Sequence, residues 1–156
     1  MSKPLSRLYK ATFTPDHTAD AYVDGDAFGS ATLSAQVHEL AARSIIIREV
    51  HVTDTEKVTA NDLDLYFFND EFTKGTDNSA FSIAAADTEK YVGQIVEIAA
   101  GDYVDIGGAE KAIEEDVDIM VPLAGTTLYL QAVAGAGFDS TGTSVISIDV
   151  IYERQD

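Results

Sequence analysis

Apolar and polar residues alternate along much of this chain with a period of two, most clearly in its last third. Val117, Ile119, Val121 and Leu123 alternate with Asp116, Asp118, Met120 and Pro122, and Ile146, Ile148, Val150 and Tyr152 alternate with Ser147, Asp149 and Ile151. Successive side chains of a strand point to opposite faces, so this pattern predicts half-buried strands of an antiparallel sheet. Residues 7–14 repeat it, with Tyr9, Ala11 and Phe13 on one face, until Pro15-Asp16-His17 breaks the run. Residues 62–69 place Leu63, Leu65 and Phe67 on one side and Tyr66 and Phe68 on the other, so both sides of that strand are expected to be covered. The β-branched run in 44–53 and the stretches 31–37, 92–98 and 127–134 read as further strands, with a short one in 103–106; residues 37–42 suit a helical turn equally, and strand then loop is the preferred reading there.

Turn residues separate these segments: Asp24-Gly25-Asp26, the polar loop 69–79, Ala99-Ala100-Gly101-Asp102, and the Gly- and Thr-rich stretch 135–142. Residues 56–61 read as a polar connection. Residues 84–91 are the best helix candidate, Ala-rich with an acidic first turn, and Gly93 is placed to end it. The polar stretch 107–115 is compatible with a helical turn. Strands at this spacing predict an all-β fold: an antiparallel β-sandwich, jelly-roll-like, with about eight strands and one short helix. At 156 residues the chain reads as one domain, 1–156, with candidate flexible arms at 1–6 and 153–156.

Composition narrows the partners more than the fold. The formal net charge is −17, with only 10 Lys and Arg residues. Nucleic-acid binding depends on neutralising phosphates with basic side chains, so no nucleic-acid partner is expected. The acidity favours solubility and complements a basic partner or attracts cations. There are no cysteines, which excludes disulfides and thiolate metal sites. No apolar core follows Met1-Ser2-Lys3-Pro4, and no apolar run approaches the roughly 18 residues of a membrane span, so neither a signal peptide nor a membrane partner is expected.

The chain carries no recognisable catalytic cluster. Asp24-Gly25-Asp26-Ala27-Phe28-Gly29 begins like a calcium loop, but the fifth and twelfth positions of such a loop fall on Phe28 and Ala35. Asp102/Asp105 and Asp77/Asn78 are pairs, too few for a cation cage, and read as side chains capping local turns. His17, His38 and His51 stand in no metal-binding spacing and read as solvated or structural. His38 and Glu39, adjacent in sequence, would face opposite ways on a strand. No G-x-S-x-G elbow and no Walker lysine motif occur, and Gly135-Ala136-Gly137 leads toward a strand, as a turn does. The expectation is therefore no catalytic residue, no metal and no cofactor. Tyr66, Phe67, Phe68, Phe72 and Phe81 form a local aromatic concentration, expected to be mostly core with some share at an interface.

Several segments read together resemble a known family. They are Asp62-Leu63-Asp64-Leu65-Tyr66-Phe67-Phe68-Asn69, Thr76-Asp77-Asn78-Ser79-Ala80-Phe81, Lys90-Tyr91-Val92-Gly93, Ala99-Ala100-Gly101-Asp102-Tyr103-Val104-Asp105 and Val121-Pro122-Leu123-Ala124-Gly125-Thr126-Thr127-Leu128-Tyr129, closing on Gln155-Asp156. In this order, over roughly 22–156, the chain is similar to small, mostly uncharacterised structural proteins of tailed bacteriophages and prophages. It departs from that pattern at 37–43, which is more charged, and at 108–116, which is rich in Glu. The resemblance implies a non-enzymatic virion protein assembled in the host cytoplasm, most simply a capsid decoration protein on the major capsid protein lattice, as a homo-oligomer such as a trimer. The alternative is a carbohydrate- or receptor-binding sandwich of a phage head or tail fibre, which requires exposed aromatics near Phe72, Asp77, Asn78 and Phe81. An enzyme whose carboxylates meet only in the fold ranks third.

Overall fold

The computed structural model describes residues 7–56 and 62–156. The arm expected at 1–6 and most of the connection expected at 56–61 lie outside the described residues. Among the described residues, twelve strands run in the order β1 (Leu8–Phe13), β2 (Ala21–Tyr22), β3 (Leu33–Gln36), β4 (Ser44–Asp54), β5 (Leu63–Phe68), β6 (Tyr91–Ile98), β7 (Val104–Asp105), β8 (Glu110–Glu114), β9 (Ile119–Pro122), β10 (Thr127–Ala134), β11 (Phe138–Asp139) and β12 (Ile146–Gln155).

Their pairing is nested and antiparallel. The first strand pairs with the last, β2 with β11, β3 with β10, β4 with both β8 and β9, and β5 with β6. Strand β12 also joins β4, and β10 joins β5. A long antiparallel hairpin rolled up in this way is a jelly roll. The result is a six-stranded sheet, β1-β12-β4-β8-β7 with β9 beside β4, a four-stranded sheet, β3-β10-β5-β6, and a two-stranded one, β11-β2.

The inner faces meet in one hydrophobic cluster. The larger sheet contributes Phe13, Ile45, Ile47, Val50, Val52, Ile146, Ile148 and Val150, and the smaller contributes Leu63, Leu65, Phe67, Val96, Leu128 and Leu130. Each is nearly removed from water, which stabilises the fold by about 1.5–3 kcal/mol per large aliphatic or aromatic side chain. The alternation seen in the sequence is the alternation of the sandwich. On β5, Leu63, Leu65 and Phe67 face the core, and Phe68 is covered from the other side as expected.

Five expectations are corrected. The helix at 84–91 is a single 3-10 turn, Ala85–Asp87. Tyr91 is already in β6, held opposite Phe68, and one turn is too short to offset the entropy of helix nucleation. Gly93 ends no helix: it sits within β6 at φ +87°, where the register with β5 shifts between Tyr66 and Phe68. Residues 110–114 form no helical turn but strand β8, because the 11-residue β4 offers that segment an edge beyond the stretch used by β9. Asp116 and Asp118 belong to a loop with positive φ values of 57° and 49°, and the strand begins only at Ile119. Finally, Glu153, Arg154 and Gln155 are the end of β12 and pair with β4, so no arm begins at 153. Among the described residues no helix is long and apolar enough to cross a membrane.

Candidate interaction surface

The outer face of the six-stranded sheet is organised by a bulge. Ile151 pairs with Glu49 but Tyr152 pairs with Ile47, so β4 holds one extra residue, Arg48. The phase of the strand shifts there, and both Arg48 and Glu49 lie on the outer side between the buried Ile47 and Val50. Arg48 donates to Asp118 at 2.6 Å and to Glu153 at 2.7 Å. Those hydrogen bonds, with Glu153 the stronger influence, hold the guanidinium charged above its ordinary range. One turn of strand away, His51 lies 2.8 Å from Glu49.

Around this centre the face exposes apolar side chains. Leu8, Glu153, Ile46 and Met120 form one cross-strand row over β1, β12, β4 and β9. Leu8 is 54% and Met120 60% exposed. Ile113 on β8 and Val104 on β7 are exposed farther along the same face. Leu8 borders an open depression of about 520 Å³ whose other walls are Arg48, Glu49, Glu115, Asp116, Asp118 and Glu153. The face thus combines bare apolar positions with an acidic rim.

The four-stranded sheet is different, because residues 69–84 lie across its outer side. Phe72 stacks on Phe68 at 3.9 Å, and Phe81 meets Tyr66 edge-on at 5.4 Å. The backbone of Gly75 donates to Gln131 Oε1 at 2.9 Å and passes so close to Ala27 that a Cβ there would lie 2.5 Å from its methyl group. Asp77 anchors the loop by accepting from Thr18 Oγ1 at 2.8 Å, Tyr22 Oη at 2.9 Å and the Gly29 amide at 2.7 Å. Asp87, 3% exposed, accepts from the Thr73 amide and from Lys90 Nζ, each at 2.8 Å. These bonds, Lys90 first, hold its carboxyl below the usual carboxylate range.

At the edge of this sheet Asp64 stands directly opposite Glu97. Burial, and then the charges of Glu97, Asp24 and Asp62, push the Asp64 carboxyl above its ordinary value. Like charges facing each other across a strand pair are destabilising.

The structure places the sequence-selected residues as follows. Asp26 accepts from the Val23 amide at 2.9 Å within the turn. Asp102 caps the Ala99 amide at 3.2 Å, and Asp105 the Gly107 amide at 2.7 Å, as expected of turn carboxylates. Asp77 departs from that expectation, since it ties three distant elements together. Among the described residues no group of three or more His, Asp or Glu is placed to hold a metal ion. Phe72 is buried and Phe81 half-buried against Tyr66, so the two aromatics that a sugar-binding reading requires to be exposed pack onto the fold.

His17 is buried and structural. It stacks on Phe28, and its Nε2 lies 2.8 Å from the Ser144 carbonyl and its Nδ1 2.7 Å from Ser140 Oγ. That hydroxyl–imidazole pair was not legible in the sequence, and a main-chain carbonyl stands where a catalytic triad places a carboxylate. Also missed were the Arg48 bulge and a cleft where Arg7 and Arg154 both pack on Tyr9. Arginines near the two ends of a chain carry no local signal that they will meet.

No protein-family model matches this chain, and no curated protein matches it. Three solved viral structures show some likeness to it. The Triatoma virus empty capsid aligns over 96% of this chain and 69% of its own, at 10% identity and a TM-score of 0.35. Desmodium yellow mottle tymovirus aligns over 99% and 90%, at 12% identity and 0.33. Infectious bursal disease virus, Gx strain, aligns over 98% of this chain but 37% of its own, at 17% identity and 0.36. The assignment of the sandwich rests on the strand pairing of this chain itself.

Proposed function

We propose that this chain is a non-enzymatic structural protein of a tailed-bacteriophage or prophage virion, acting as a capsid decoration protein that docks on the lattice of the major capsid protein. The observation that carries this reading is the bare outer face of the six-stranded sheet, with Leu8, Ile46 and Met120 in one row beside the acidic depression. The sequence resemblance supports the virion setting. A rigid sandwich with one uncovered face suits binding without chemistry, and the net charge of −17 makes a basic surface the fitting counterpart. Many copies on a repeating lattice gain avidity, so no single contact has to be strong. A small symmetric oligomer, a trimer for example, follows the symmetry of such a lattice.

Quantitative mass spectrometry of purified virions from the encoding phage tests this. A copy number near that of the major capsid protein supports a decoration role; a few to a dozen copies per particle places the chain at a neck, vertex or fibre and overturns the decoration role. Absence from the particle overturns the virion reading altogether. In a second experiment the purified protein is added to particles lacking it, alongside a Leu8→Asp/Met120→Asp variant. Loss of binding by a variant that still folds assigns the contact to this face, and undiminished binding removes it.

A further inference from the structure

We propose that the cleft between the start of β1, the end of β12 and the β3–β4 connection is a binding site for an oxyanion, a carboxylate or a phosphate group. Arg7, Tyr9, His38, Leu40 and Arg154 line it, with Glu39 and Asp156, around a volume of about 300 Å³. The chain has 10 basic residues against 27 acidic ones, and here two guanidinium groups share one aromatic ring. The Arg154 guanidinium carbon stands 4.1 Å from the Tyr9 centroid and that of Arg7 5.2 Å. Stacking of this kind holds a guanidinium plane in place while leaving its edge free to donate.

Arg154 is further fixed by its Nε, which donates to the Val37 carbonyl at 2.8 Å. Arg154 also bonds to the Tyr152 side chain, while its carboxylate partner, Glu39, is held only through one 3.2 Å contact and has an 81% exposed side chain, so an incoming anion can replace it. Arg7 has no carboxylate partner among the described residues.

The independent observation is His38. It is 5% exposed, and its Nδ1 accepts the Leu40 amide proton at 3.0 Å. An accepting Nδ1 leaves the ring proton of the neutral imidazole on Nε2. That Nε2–H donates to no group among the described residues. Buried donors in folded proteins are nearly always paired, so an orphaned one on a residue that lines a cleft calls for an acceptor. Two guanidinium groups and one imidazole N–H present donors only, and the planar fork of arginine matches a two-oxygen face.

The test follows the His38 Nε2–H and the arginine Nε–H signals of the intact protein by nitrogen-15 NMR. Sodium phosphate and sodium succinate are titrated separately, and sodium chloride at equal ionic strength is the control. About 150 mM background salt shortens the reach of the surrounding acidic charge to roughly 8 Å. Saturable shifts with either oxyanion, weakened about tenfold in Arg7→Gln, support the site, about tenfold being what one lost charge-assisted contact is worth. Phosphate alone or succinate alone identifies which group the cleft takes. Arg7 is exposed and touches the fold through Tyr9, so Arg7→Gln should unfold at the wild-type midpoint. Shifts no larger than those with chloride, or equal in wild type and Arg7→Gln, overturn the proposal.

Discussion

The two outer faces of this sandwich are built from similar strands and end in opposite states. Over the four-stranded sheet the chain covers itself: the loop 69–84 buries Phe68, Phe72 and Gln131, and its polar groups are tied down by Asp77, Asp87 and Gln131. Over the six-stranded sheet no described segment lies across the row Leu8–Met120, and exposed apolar side chains stand between charged ones. The covered face has spent its aromatic side chains on stability. The bare face keeps its apolar residues available to another molecule, and its internal cross-links, Arg48 with Asp118 and Glu153 and Thr12 with Asp149, fix strands without covering them.

The contrast can be broken first where it is strongest. Phe68→Ala should destabilise the fold by about 3–5 kcal/mol in urea unfolding, because it opens a cavity beneath Phe72. A loss below 1 kcal/mol, on the order of a surface substitution, would show that the loop does not seal this face. Next, Asp77→Ala leaves the Tyr22 hydroxyl and the Gly29 amide without their carboxylate acceptor, while the Thr18 hydroxyl keeps Asp20, and a loss of about 1–3 kcal/mol is expected by the same measurement.

Two substitutions sharpen the comparison through pH. Asp87 has a folded pKa below its unfolded one, so its contribution is present above the ordinary carboxylate range and lost as pH falls through the folded value. Asp87→Asn should therefore flatten part of the acid limb of a stability–pH profile. Asp64 has the opposite shift. Its contribution is favourable below the ordinary carboxylate range and lost as pH rises through the raised value. Asp64→Asn should raise the urea midpoint at neutral pH and leave it unchanged in acid; a fall at neutral pH would contradict the crowding of Asp64 by Glu97. The smallest expected effect lies on the bare face, where Met120→Ala should change stability by no more than about 0.5 kcal/mol. A larger loss in the isolated protein would mean that Met120 already serves the fold.

How much of this was legible depends on where each residue finds its partner. The inward sets Leu63/Leu65/Phe67 and Ile146/Ile148/Val150/Tyr152 could be read directly, since burial on one face imposes period two. Strand β8 could not: in Glu110–Glu114 only Ala112 is buried, so the segment looks polar, and its strand state comes from pairing with β4. The helix expected at 84–91 failed for a related reason, because the side chain of Asp87 and the backbone of Tyr91 are engaged by distant residues. The aromatic concentration was recognised in part as core, but which aromatic covers which sheet face was not. The cleft of Arg7 and Arg154 joins residues 147 positions apart in a chain of 156, and no spacing rule reaches that far.

Alternation, turn chemistry and charge are local properties. They settled that this chain forms antiparallel strands, which side chains of most strands face inward, and that its surface is strongly acidic. Nested pairing, the Arg48 bulge, the choice of which sheet face is covered and the meeting of two arginines on Tyr9 are non-local. Each depends on contacts between segments whose separate sequences are equally compatible with other neighbours, and only the packed sandwich selects among them.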